Sequence, residues 1–170
     1  SPFVNTYAGQ AYFLDGRLEE AMASWQRALE VDPGAWFASL CLARAQVVRG
    51  TSQQAVAVLQ AALTFNEGEP QLLGGLTHAY ARAGRREDAL TVLGELKRMD
   101  RERGWVPRFA FVWAYVGLGE REEAFAWLEK AYQERRERMV WLNVDPFLEP
   151  LRSDPRFHDL ARRMGLQSRI

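Results

Sequence analysis

Cysteine is nearly absent from this 170-residue chain: Cys41 stands alone, so no internal disulfide can form. Histidine is almost as scarce. His78 and His158 lie 80 residues apart, and no Cys or His pairing has metal-ligand spacing. There is no net charge either, with 22 basic residues against 22 acidic ones. That balance excludes a nucleic-acid binder driven by bulk electrostatics. Long apolar runs are missing too. The longest, Phe109 to Gly119, has eleven residues, too few to span a bilayer as a helix. No signal peptide is visible at the start. Lysine is rare: 20 of the 22 basic residues are arginine, which we read as base composition of the genome. The 48% apolar and 26% charged fractions exclude disorder and suit one domain or one short solenoid.

What the chain does have is a ruler. Gly16, Gly50 and Gly84 are spaced by 34 residues, and Gly119 follows 35 later. Five residues after each glycine comes an alanine (Ala21, Ala55, Ala89, Ala124), and five before it another (Ala11, Ala45, Ala79, Ala114). Around these lie Tyr12, Tyr80 and Tyr115, then Trp25, Leu59, Leu93 and Leu128. A 34-residue period is that of a stacked helix–turn–helix unit. The glycine sits where a left-handed residue can end the first helix of a pair. The alanines sit where two helices must approach closely. Glu19, Glu20, Glu87, Asp88, Glu122 and Glu123 oppose the positive end of the second helices, with Gln53 and Gln54 in the second unit instead.

This small–aromatic–Gly–Ala–large–Ala layout resembles the tetratricopeptide repeat over residues 2–136. It implies an all-α fold, a right-handed α-solenoid of four helix–turn–helix units with a C-terminal capping helix. The units are expected at about 2–35, 36–69, 70–104 and 105–138, with a tail and cap over 139–170. Helix pairs are expected at 3–15 and 18–30, 35–49 and 52–65, 70–83 and 86–99, and 105–118 and 121–136. Asp32-Pro33 reads as a helix start. The extra residue before the fourth unit is assigned to a link over Arg98–Gly104.

In the tail, Asp145-Pro146 and Asp154-Pro155 each pair a capping Asp with a helix-starting Pro. The first should open a short turn ending before Pro150, the second a helix ending near Gly165. Phe157, Leu160, Ala161 and Met164 form one apolar stripe, expected to pack on the second helix of the fourth unit. Trp127-Leu128-Glu129-Lys130-Ala131-Tyr132 and Pro150-Leu151-Arg152-Ser153-Asp154-Pro155-Arg156-Phe157 resemble the C-terminal end of bacterial multidomain signalling proteins. In those, such repeats follow a kinase, a nucleotide cyclase or a winged-helix domain. No motif of those effectors is present. The start Ser-Pro-Phe carries no polar cap, which suggests a piece of a longer protein.

No nucleophile or acid–base constellation appears, so the expected function is not enzymatic and calls for no cofactor or metal. Cys41 reads as a buried inert thiol. The runs Arg85-Arg86 and Arg135-Arg136-x-Arg138 read as solvated helix ends among acidic residues. Gly74-Gly75, in mid-helix, implies close backbone approach by something.

The resemblance places binding on the concave face, lined by the first helix of each pair. There the chain sets Phe3, Phe13, Phe37, Leu40, Arg44, His78, Phe109 and Trp113. Members that grip a C-terminal carboxylate carry Lys, Asn and Arg on this face. Here the matching places hold Thr6, Gln10, Cys41, Gln71 and Gly75, which argues against a carboxylate clamp. Two readings of the aromatics stay open: superhelix curvature or the tail Met139–Leu151 covers them as core, or they form a groove for a partner. In the second, an apolar segment lies against Phe37, Leu40, Phe109 and Trp113, oriented by Arg44 and His78. The expected role is a cytoplasmic protein-interaction scaffold, its partner a protein or peptide segment, an upstream domain of the same chain, or a second copy. Nucleic acid and membrane are not expected partners. The alternative is a sensor holding a hydrophobic small molecule in the groove.

Overall fold

The computed structural model describes residues 1–134, 139 and 142–166. Eight helices form four hairpins: α1 (Pro2–Leu14) with α2 (Leu18–Val31), α3 (Trp36–Val48) with α4 (Ser52–Phe65), α5 (Pro70–Arg82) with α6 (Arg86–Arg103), and α7 (Arg108–Leu118) with α8 (Arg121–Glu134). A 3-10 helix, Pro146–Leu151, and α9, Pro155–Arg163, follow. Among the described residues there is no strand, and the architecture is an α-solenoid of helix–turn–helix units.

The repeat glycines make the turns. Gly16, Gly50, Gly84 and Gly119 have φ of +76°, +84°, +77° and +77°, a region that costs a side-chain-bearing residue strain. In each case the next residue donates its N–H back over the turn: Arg17 to Tyr12, Thr51 to Gln46, Arg85 to Tyr80 and Glu120 to Tyr115, at 2.8–3.0 Å. The helix-end carbonyls are thereby satisfied. Ala21, Ala55, Ala89 and Ala124 are all sealed at 0% exposure, at the seam between the helices of each hairpin. Trp25, Leu59, Leu93 and Leu128 are buried beside them. Ala11 is exposed, unlike Ala45, Ala79 and Ala114, because α1 is the outermost helix.

Stacking of the third and fourth units is tightest between α5 and α7. A Cβ on Gly74 would lie 2.5 Å from the Ala110 carbonyl oxygen, and one on Gly117 would lie 2.5 Å from the His78 Cα. The close neighbour implied by Gly74-Gly75 is thus internal: the α7 backbone for Gly74, and the Leu40 side chain for Gly75.

Several expected boundaries are corrected. Asp32-Pro33 does not start α3. Asp32 ends α2, and its carboxylate accepts the Gly34 N–H at 3.0 Å, forming a turn before Trp36. α6 runs to Arg103, beyond the expected 99, and ends on the left-handed Gly104. The extra turn carries Asp100, which pairs with Arg108 at 3.0 Å. Arg108 also grips Glu134 at 2.9 Å, tying α6, α7 and α8 together. α7 starts at Arg108, after Pro107, and not at 105. The tail turn continues through Pro150 as a 3-10 helix. Residues 135–136 of the last expected repeat helix lie outside the described residues, as does the Arg135-Arg136-x-Arg138 run.

The Asp-Pro starts in the tail are real caps. Asp145 accepts from the Phe147 N–H and Asp154 from the Arg156 N–H, each at 3.0 Å. α9 buries Phe157, Leu160 and Ala161 and half-buries Met164. Its Arg156 forks onto Glu122 of α8 at 2.8 and 3.0 Å, and its Arg163 reaches Glu129 of α8 at 3.0 Å. The cap therefore sits on the second helix of the fourth unit. Phe147, Leu148 and Leu151 join the main apolar core, so the tail is part of the fold.

Candidate binding groove

α3, α5 and α7 pack side by side, and the tail segment Asp145-Pro146-Phe147 lies against α7, α5 and α3. Asp145 is the hinge of this contact. Its Oδ2 accepts the Trp113 Nε1–H at 2.8 Å, and its Oδ1 accepts the Phe147 N–H at 3.0 Å. The Arg44 guanidinium stands 3.6 Å from the same Oδ2, and Arg152 donates to the Asp145 carbonyl at 3.0 Å. Phe147 stacks on His78 and meets Trp113 edge-on. Covering of the aromatics by the tail is thus what this half of the groove displays.

The other half stays open. A cavity of about 360 Å³ extends from the tail toward α1. Phe13, Phe37, Leu40, Arg44, Phe109 and Trp113 all reach it, together with Gln10, Cys41, Gln71 and Trp105. Six of the eight residues expected on this face therefore converge. Phe3 does not: it is 67% exposed at the outer end of α1, its ring 4.4 Å from that of Tyr7. His78 does not line the cavity, being buried beneath Phe147.

The chemistry of these groups is structural. His78 Nδ1 is 2.9 Å from the Trp113 carbonyl, so Nδ1 carries the proton and donates it. Burial pushes the His78 pKa down to about 3, against the opposing pull of that carbonyl, and keeps the ring neutral. The Cys41 thiol is pushed up to about 12 by burial and donates weakly to Gln10 Oε1 at 3.6 Å. It is a poor nucleophile. Arg85 and Arg86 are engaged with Asp88 and Glu120 at 2.7 Å each. Among the described residues no group of three His, Cys, Asp or Glu side chains could hold a metal ion. Nor is any described helix long and apolar enough to cross a membrane.

Asp145 is the residue of this site that its sequence signal undersold. The Asp-Pro pair marks it as a cap, and it is one. Nothing local announces that its second oxygen is matched to an indole 32 positions upstream.

Two family models, both described as tetratricopeptide repeat, match the chain, one over residues 2–35 and one over 70–95. A comparison with curated proteins gives no match. The two matches and the helical-hairpin architecture support a tetratricopeptide-repeat protein. Repeats of this kind generally mediate protein–protein interaction and are generally not enzymes.

Proposed function

We propose that this chain is a non-enzymatic protein-interaction scaffold, and that its concave groove takes a peptide segment of a partner in the open half beside the tail. The chain acts as the C-terminal regulatory region of a larger bacterial signalling protein in the cytoplasm. Its partner is a separate protein, an upstream domain of the same polypeptide or a second copy. The observation that carries the reading is that the groove already accommodates one polypeptide segment. Asp145-Pro146-Phe147 is held there by an indole N–H, a guanidinium and a stacked imidazole, and the apolar cavity continues directly beyond it. A second reading, a sensor for an apolar small molecule, draws on the size of the cavity, which falls in the range of small-ligand sites.

Photo-crosslinking tests the proposal. A benzophenone side chain placed at Phe37, within the cavity, should join the protein to a defined peptide segment of its partner. The same group at Gln60, outside the cavity lining, should not. Equal yields from the two positions would move the binding site off the groove.

A further inference from the structure

The open cavity contains two charged lining residues among those described, Arg44 and Asp145, one of each sign. Their charges balance, but their hydrogen bonding does not. Both Asp145 oxygens are engaged, one by Trp113 Nε1–H and one by Phe147 N–H. The Arg44 side chain is only 16% exposed, and its guanidinium carbon stands over the Trp113 ring at 4.3 Å. Its nearest acidic partner, Asp145 Oδ2, is 3.6 Å away, beyond hydrogen-bond reach. Its Nε is sealed with no acceptor. The cation is thus fixed in an apolar site with its charge met and one of its donors, Nε, without an acceptor. Since Nε is sealed and Arg44 lines the cavity, the terminal edge of the guanidinium is what a ligand meets.

Resting on the groove as a peptide site, we propose that it selects an uncharged apolar stretch, and that the terminal edge of Arg44 binds a main-chain carbonyl of that stretch. A carbonyl gives that terminal edge an acceptor without adding charge. A ligand carboxylate would supply the acceptor but leave two acids facing one arginine in a poorly solvated site, a costly arrangement. An ammonium group would find only Asp145, whose oxygens are already engaged. The rest of the lining agrees. Phe13, Phe37, Leu40 and Phe109 offer apolar surface. Gln10 and Gln71 present neutral amides, whose donor and acceptor suit a peptide main chain. Asp145 is a positioning residue here: it neutralises Arg44 and so sets the preference for an uncharged segment.

The test is selection from a phage-displayed library of random dodecapeptides, panned on the wild-type chain and on the Arg44→Met and Asp145→Asn variants. Circular dichroism confirms that each variant keeps its helicity. Wild type should enrich peptides with an uncharged apolar centre. Synthetic copies of these should bind Arg44→Met at least tenfold more weakly. Asp145→Asn should shift the enrichment toward peptides with an Asp or Glu in the centre, because Arg44 then lacks its counter-charge. Acidic centres enriched by wild type, or undiminished binding to Arg44→Met, would overturn the role given to Arg44 and leave the groove reading standing. Peptides that bind a Phe13→Ala/Phe37→Ala chain as well as wild type, or no enrichment at all, would remove the groove as a peptide site and this inference with it.

Discussion

The imidazole of His78 lies against the Phe147 ring, with centroids 3.9 Å apart and planes inclined by 19°. One ring belongs to the middle of α5 and the other to the 3-10 helix of the tail. The tail thereby roofs a histidine that α7 holds from below through the Trp113 carbonyl. A titratable group in such a place links stability to pH.

The folded pKa of His78 is about 3, against an ordinary value of 6.5 for the unfolded chain. The unfolded state therefore binds the proton more readily below pH 6.5, and acid favours unfolding. The contribution is fully present above pH 6.5 and is lost as pH falls toward 3. At pH 5 the loss is about 2 kcal/mol, from 1.36 kcal/mol per pH unit. Glu122 and Glu129, held low by Arg156 and Arg163, lose their own contribution as pH falls below their ordinary value of 4.5, beneath the pH 7–5 range in which His78 acts alone of these three. Urea titrations from pH 7 to 5 should show the decline, and His78→Phe should flatten it. An equal slope in that variant would place the proton elsewhere.

The repeat turns and seams were legible because one chemical requirement recurs four times. Ala21, Ala55, Ala89 and Ala124 announce a close helix seam, and the repeat glycines announce its turn. Asp32-Pro33 misled because an Asp ahead of a helix can close an Asx turn as readily as it can cap. α6 outran its expected end because Asp100 on its last turn gains Arg108, a partner set by tertiary packing. In the groove, the aromatics on α3 and α7 were legible from the register of the repeat. The tail contact was legible only as one of two open readings, and its residue pairing not at all, since Trp113 and Asp145 meet only after the units have stacked. Phe3 occupies a groove register but lies at the outer end of α1, where the exposed Tyr7 is its ring partner.

Glycine substitutions separate space from propensity. Gly74 and Gly94 both lie inside helices. At Gly94 an added Cβ meets nothing within 4 Å, whereas at Gly74 it meets the α7 backbone at 2.5 Å. Gly94→Ala should raise stability by about 0.5–1 kcal/mol. Gly74→Ala has the same propensity gain but forces α5 and α7 apart, and should lower stability by about 2 kcal/mol. Chemical denaturation of the two variants side by side checks the sign of each. A stabilised Gly74→Ala chain would mean that α7 can retreat freely.

The seam alanines give a stricter version. Ala89 is fully buried between α5 and α6. Ala89→Leu adds three carbons where no space exists, and should destabilise by about 1–3 kcal/mol without changing the helical far-UV spectrum at low temperature. Thermal melts monitored at 222 nm measure it.

The capping helix should be indispensable for solubility as well as stability. Without α9, Phe125 loses the Arg156 guanidinium now 4.1 Å above its ring, and Tyr132 loses that of Arg163 at 4.7 Å. Glu122 and Glu129 lose their arginine partners at the same time. These ion pairs are exposed and add little alone. The burial of Phe157 and Leu160 is the larger contribution, and Phe157→Ala should cost about 3 kcal/mol. Removing residues 152–170 should therefore lower the melting temperature and expose the outer face of α8 to self-association, which light scattering would register. A truncated chain that melts where the intact one does, and stays monodisperse, would show that the fourth hairpin is self-sufficient.

The Trp113–Asp145 bond offers the most direct test of how the tail is held. Among the described residues the indole N–H is the one hydrogen-bond donor to Oδ2, and both residues are buried. Trp113→Phe removes the donor while keeping an aromatic ring over Arg44, and leaves a buried carboxylate oxygen facing a guanidinium at 3.6 Å. The expected loss is about 1–3 kcal/mol. Asp145→Asn removes the charge and one of the two acceptor oxygens, and should cost a similar amount. Because the two changes delete one interaction, the double variant should cost clearly less than the sum of the singles. Strict additivity would show that the tail is held by Phe147 and the apolar residues after it, with Asp145 serving only as the cap of its own short helix.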